Sequence, residues 1–273
     1  MDNPPTPRFN PTREKEPIME MTSIRAQVSD AQWQTRVWLA AAHRQVHEEG
    51  VQDLTYNHLS ARVPDQPDTF LIKPEHQMFS QVTASSLMQL DFAGNKLSTN
   101  PGKISPATMI IHAGILEARK DLNAVFHTHS PANVGLSAQK CGLLPINQHA
   151  LRVHWRTGYH DFHGWEFDMD ARQKLIESLG DNLLLVLRNH GAIVCGHTIA
   201  EAVVEHHHFE FACRAQIAAL SAGGVDQLLM PSKEVIAYAT HQAQKYLSGV
   251  TEQGRDWIAL MKHMRKTYPD FED

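Results

Sequence analysis

The sequence predicts a single α/β domain built on a mixed or largely antiparallel sheet, with further helices at its C-terminal end. Three observations carry this. Helical and strand-like patterns alternate from about residue 26 onward with no break in composition and no linker. The strand-like segments lack the regular βαβ spacing of a fully parallel sheet. Hydrophobic residues make up 42% of the 273 residues, enough for a substantial core.

Residues 1–25 are expected to form a disordered or extended arm, because Pro4, Pro5, Pro7, Pro11 and Pro17 stand among charges. Such an arm is either a flexible tail or a clasp on a partner subunit. The domain proper is expected over residues 26–225, and a helical extension packed on it over 226–273. Asp30 is a candidate N-cap for a helix through Trp33, Val37, Ala40 and Val46 that stops at Gly50. Strand-like runs follow at 59–63, 69–73 and 87–91, and Gly94-Asn95 reads as a hairpin turn returning through Lys96-Leu97. Pro106 opens a helix to about Ala118. Residues 123–128 form a strand, and 131–138 a helix. Residues 145–165 read as short strands and loops. A helix over 170–179 ends at Gly180 and precedes strands at 183–187 and 192–195. A long helix from about Ile199 to Ala222 stops at Gly223-Gly224, and two more helical patterns cover 231–247 and 251–268.

Composition excludes several functions. Net charge is −5, and no basic stripe suggests a nucleic-acid partner. No run reaches the roughly 18 apolar residues of a membrane span. No glycine-rich phosphate loop follows a strand. Cys141, Cys195 and Cys213 are too few and too scattered for a disulfide framework, and fit a reducing, cytoplasmic setting. The N-terminus lacks the apolar stretch of a secretory signal.

The chemistry is expected at histidines. His127 and His129 close the apolar run Ala124-Val125-Phe126, and His190 closes a second one, Leu183–Leu187. In a strand, residues i and i+2 point to one face. Two imidazoles can therefore converge, and a neighbouring strand end can add a third. Three neutral imidazoles with one open position form a ligand set for a catalytic divalent metal. The chain holds 18 histidines, so chance pairing is the competing explanation. His206-His207-His208 cannot converge on one ion, because consecutive helical residues point about 100° apart. They are expected on a helix surface or at a subunit contact.

Several segments together resemble the class II aldolase/adducin family over roughly residues 35–225. Gly50 with Asn57-His58-Leu59-Ser60 resembles the family's Gly-Asn-x-Ser turn, with Tyr56 in place of the glycine. Met109-Ile110-Ile111-His112 and Val125-Phe126-His127-Thr128-His129-Ser130 follow in order. Lys140–Ile146, Tyr159–Gly164 and Leu187-Arg188-Asn189-His190-Gly191 are similar to adducin head domains. The resemblance implies a three-layer α/β/α domain around a largely antiparallel sheet. It also implies a homotetramer with sites between subunits, and a divalent metal on His127, His129 and His190. Zinc is the first choice of metal, with iron, manganese and cobalt as alternatives. Such a metal stabilises an enolate and eases cleavage of the neighbouring C–C bond.

The chain departs from the family's sugar-phosphate aldolases. Their acid/base glutamate is matched by Thr108, which cannot titrate near neutrality. His112, four residues on, is a substitute base or a buried structural histidine. Glu75-His76 replaces a Thr-Gly turn, and a glutamate there repels a phosphate dianion. Ser105 is the nearest serine to the family's phosphate-binding pair. A small non-phosphorylated hydroxy- or oxo-acid is therefore expected, with Lys73 or Arg188 as its counter-charge unless these form structural salt bridges. Tyr159 matches the region that supplies a proton donor to the neighbouring subunit's metal; a hydrogen-bonded structural tyrosine is the alternative. Gln148 either contacts substrate or holds a loop, and Asn57 and Ser60 either line the cleft or cap a turn. His160 and His163 are weaker neighbours of the site. The resemblance leaves three functions open: metal-dependent C–C cleavage, a non-haem iron oxygenase similar to those of aminocoumarin antibiotic biosynthesis, and an adducin-like scaffold without turnover. Three retained histidines favour the metal.

Overall fold

The structure is a computed structural model that describes residues 23–164 and 169–273. The expected N-terminal arm lies outside the described residues up to residue 22. Chain order runs α1 (Ile24–Gln27), α2 (Asp30–Glu48), β1 (His58–Val63), β2 (Gln66–Ile72), β3 (Met88–Asp91), α3 (Pro106–Thr108), α4 (Gly114–Ala118), β4 (Ala124–Thr128), α5 (Pro131–Ser137), α6 (Gln148–Val153), β5 (Thr157–His160), α7 (Met169–Leu179), β6 (Leu184–Leu187), β7 (Gly191–Gly196), α8 (Ile199–Leu220), α9 (Lys233–Tyr246) and α10 (Arg255–Thr267).

Seven strands form one sheet in the order β3-β2-β1-β4-β7-β6-β5. Neighbours are antiparallel except β5 and β6, which are parallel. α7 makes the crossover between those two strands. β4 lies at the centre, and its alternating side chains face two helical layers. Phe126 and Thr128 face α8, through ring contact with His206 and a hydrogen bond to it. β1 and β4 pair His58 with His127 and Ser60 with Val125. Ser60 and His58 meet His112 on the opposite face. Every residue of β1, β4, β6 and β7 is buried.

Several sequence expectations change in detail. Ser29, not Asp30, caps α2 by accepting from Gln32 N at 3.1 Å, and Asp30 is the first helical residue. The chain leaves α2 through Gly50 at φ +81°. The return after Gly94 is a single bridge, Leu90 to Lys96, rather than a strand. Between α3 and α4 the helix widens into a π-turn, Met109–Ala113, which carries His112. π-turns recur at functional sites.

Buried charge ties the helices together. Arg44 on α2 donates to the Val82 carbonyl at 3.1 Å and to Asp270 at 2.7 Å, pinning the C-terminus beside α2. Trp257, Met261 and Met264 of α10 join the core. On α8, Glu205 is fully buried between Arg152 at 2.8 Å and Arg156 at 2.9 Å. Burial raises the Glu205 carboxyl pKa, and the two guanidinium groups oppose the rise. Replacing one member of such a pair strands the other charge, at a cost of about 3–5 kcal/mol. Glu205→Ala is expected to lower the unfolding free energy by that scale, read by urea titration followed by circular dichroism.

His43 on α2 and His112 are fully buried, and burial lowers both pKa values to about 3. Unfolded histidines titrate near 6.5. Between those values the unfolded chain binds more protons, so stability rises with pH and is lost as pH falls. Each histidine contributes up to about 1.4 kcal/mol per pH unit in that window. Chemical denaturation of metal-free protein should therefore show a steady midpoint above about pH 7 and a falling one below about 6.5. A midpoint unchanged at about pH 5 contradicts this.

Candidate metal centre

The centre forms where the central strand ends. β4 and β7 pair Thr128 with Ala192. This register sets the β6–β7 turn, Arg188 to His190, beside the residues that follow Thr128. The turn is tight: Asn189 has φ +59°, and His190 N donates to Leu187 O at 3.0 Å. Gly191 is required next to it. A Cβ there would lie 2.6 Å from Thr128 O and 2.8 Å from the His129 ring.

Nε2 of His129 lies 2.8 Å from Nε2 of His127 and 2.9 Å from Nε2 of His190. Among the described residues, these three are the one group of three or more donors arranged to hold a metal ion. His127 Nδ1 donates to Ala192 O at 3.1 Å. His129 Nδ1 donates to the Asp53 carboxylate at 3.0 Å. A neutral imidazole that donates from Nδ1 has a bare lone pair on Nε2. His127 Nε2 is thereby left as an acceptor aimed at the His129 ring. Three imidazole nitrogens meeting within 4.8 Å, two of them turned by bonds at Nδ1, form a donor set that would fit a divalent metal. Burial, together with the neighbouring His129, His58 and His190, holds the His127 pKa well below its ordinary value and keeps the ring neutral.

The backbone around His129 is equally fixed. Its N–H donates to Asn57 Oδ1 at 2.8 Å. Ser130 caps α5 by accepting from Asn133 N at 2.9 Å, and donates to Glu210 on α8 at 2.6 Å. Asn133 bridges Thr128 and Glu210.

Beside the cluster, the His58 ring packs 5.0 Å from the His127 ring, centroid to centroid. His58 shares a cavity of about 200 Å³ with Thr55, Tyr56, Lys73, Glu75, Ser105 and Thr108. Lys73 is 3% exposed and donates to Thr55 O at 2.9 Å. Burial lowers its pKa to about 8, against the pull of Glu75.

Other expected residues stand elsewhere. Ser60 and His112 are fully buried beneath His58 and hydrogen-bonded to each other, so neither lines the cavity. Asn57 is also buried and holds the backbone of His129. The Tyr159 hydroxyl accepts from Leu143 N at 2.9 Å, and its ring stacks under Arg188. Arg188 donates to Gln139 O at 2.7 Å. Gln148 is the exposed first residue of α6. His160 is buried against Ser178 and His163. His206 corrects the expectation of a surface residue: it is fully buried, because its face of α8 packs on β4. His207 is exposed and bonds to Glu49, and His208 bonds to His149. Sequence reasoning missed Asp53 and gave His58 no role. Neither sits in a local pattern that signals a site.

The fold and the three histidines define a class II aldolase-type domain. Residues 38–217 match the class II aldolase and adducin N-terminal domain family. A protein of Caulobacter vibrioides named as aldolase class 2 is 42% identical over 209 residues, 77% of this chain and 81% of that one. Alpha-adducin of Rattus norvegicus is 38% identical over 200 residues, 71% of this chain and 27% of that protein. The crystal structure of an aldolase II superfamily protein from Pseudomonas syringae superposes with a TM-score of 0.86 at 38% identity, covering 92% of this chain and all of that one. The chain belongs to the class II aldolase/adducin family. No described helix is long and apolar enough to cross a membrane.

Asp53→Asn keeps the size of the side chain but weakens the anchor of His129. Loss of such an outer partner lowers metal affinity by roughly 10–100-fold. His129→Ala should abolish stoichiometric binding. Zinc titration against a competing chelator reads both, and unchanged affinity in His129→Ala rules out the ligand assignment.

Proposed function

We propose that the protein is a divalent-metal-dependent enzyme that cleaves a C–C bond, by aldol-type cleavage or decarboxylation, in a small non-phosphorylated hydroxy- or oxo-acid. The convergence of three Nε2 atoms, two of them aimed by bonds on the far side of the ring, carries this reading. His127, His129 and His190 would hold the metal, with zinc first and iron, manganese or cobalt as alternatives. Such an ion supplies Lewis acidity, drawing electron density from a substrate oxygen so that the adjacent C–C bond breaks more easily.

The chain's own groups set the substrate. The Lys73 ammonium attracts a carboxylate into the neighbouring cavity, while Glu75 on the same wall disfavours a phosphate dianion. Tyr159 is engaged by Leu143 and Arg188 within its own subunit. We assign it as the proton donor to a neighbouring subunit's centre, in a homotetramer. Iron-dependent oxygenation suits the same three neutral donors.

Elemental analysis of purified protein tests the reading first. About one equivalent of zinc, with aldehyde or carbon dioxide released from hydroxy- or oxo-acids, is expected. Iron with oxygen uptake moves the assignment to an oxygenase, and protein that holds no metal is a scaffold. Gel filtration at monomer size contradicts a site completed by a neighbouring subunit.

A further inference from the structure

The three consecutive histidines of α8 point three ways, as a helical turn of about 100° per residue demands. His206 meets Thr128 on β4. His207 Nδ1 donates to Glu49, at the end of α2, at 2.7 Å. His208 instead meets a second imidazole, that of His149 on α6, and their Nδ1 atoms are 2.9 Å apart. Neither Nδ1 has another hydrogen-bond partner among the described residues. The sequence singled out the histidine run, but its fourth member stands 59 residues away.

Two nitrogen donors facing one point can share a metal ion. Ligands each about 2.0–2.1 Å from one ion stand at most about 4.2 Å apart. The separation of 2.9 Å lies inside that reach and equals the His129 to His190 separation in the three-histidine centre. The His149 ring is held in place by stacking on Phe211, with centroids 3.9 Å apart and planes 28° from parallel. Phe211 and His208 are three residues apart and share a face of α8, so one helix fixes both the ring and its partner. His149 is half-buried, which leaves room for water in the remaining coordination positions. His208 also lines a cavity of about 300 Å³ whose wall carries the carboxylates of Glu49 and Asp256 against the single cation Arg255. Arg152, the other cation near the two rings, is bonded to Glu205 at 2.8 Å. Burial lowers the pKa of both rings, His208 to about 3, so protons do not compete for the pair near neutrality.

We propose that His149 and His208 form a second metal site, which binds a late first-row divalent ion with water in its other positions and ties α6 to α8. Imidazole donors suit copper, nickel and zinc, and copper(II) binds such donors most tightly. Two protein donors hold zinc less firmly than three, so zinc counted against a competing chelator stays at the first centre. The pair shares no residue with His127, His129 and His190, and the inference does not rest on the proposed function.

The test uses full-length His129→Ala/His190→Ala protein, which leaves the first centre a single histidine. Copper(II) titration, followed by electron paramagnetic resonance, should show one equivalent coupled to two ring nitrogens. That equivalent should be lost when His149→Ala or His149→Asn is added, with the circular dichroism spectrum retained. Copper should also raise the thermal midpoint of the parent protein and not of the two further variants, since an ion bound only by the folded state stabilises it. A hydrogen bond between the rings, without metal binding, predicts equal copper uptake in all three proteins, and that result overturns the proposal. A readout on the parent alone needs no change at the pair: substoichiometric copper should broaden the ring signals of His149 and His208 before those of the other histidines. Broadening that starts elsewhere and spares these two rings overturns the proposal as well.

Discussion

Lone pairs on three imidazole nitrogens repel one another when they share a point, and each ring must be held there from its far side. The Ala192 carbonyl does this for His127, and Asp53 does it for His129. Both holds depend on β4 being the central strand, with antiparallel neighbours on each edge. One neighbour brings the Ala192 carbonyl and the turn that carries His190. The other brings His58. Slipping either register by one residue would turn the imidazoles to the wrong face. The centre is thus a consequence of sheet order before it is a consequence of side-chain choice.

The two faces of β4 divide the work. On the α8 face, Thr128 enters a polar network with Asn133, Glu210 and His206 that fixes where the strand ends and α5 begins. On the opposite face, Val125 and His127 meet the layer that carries the π-turn. There His58, Ser60 and His112 are hydrogen-bonded in series, and Arg62, on the same face of β1, donates to the Leu116 carbonyl. In the α8 layer, buried Glu205 is matched by two arginines.

Much of the architecture was legible because local patterns carry it. Alternating and continuous apolar runs marked β1, β4, β6 and β7, and helical periodicity marked α2, α8 and the C-terminal helices. Short strands and loops were expected over residues 145–165, and β5 is such a strand, but α6 (Gln148–Val153) was not expected, because six residues are too few to show a helical period. The π-turn was not legible either, because nothing in Met109–Ala113 distinguishes it from an ordinary helical turn. His206 was misplaced for a related reason. Three consecutive histidines look alike in sequence, and only the packing of α8 on β4 buries one of them.

By itself, the sequence placed His127 and His129 two residues apart at the end of an apolar run, a spacing that lets both turn to one face; β4 ends at Thr128, and Asn57 holds the backbone of His129 just beyond it. It also showed that His190 follows a buried strand, because the apolar run before it has no other stable place; the structure sets His190 in the turn after β6. The tertiary structure decided that these strand ends are neighbours, that Asp53 and a main-chain carbonyl set the tautomers, and that His58 borders the cavity. Those facts follow from pairing between distant segments, and a hydrogen bond across 76 residues leaves no trace in the local pattern at either end.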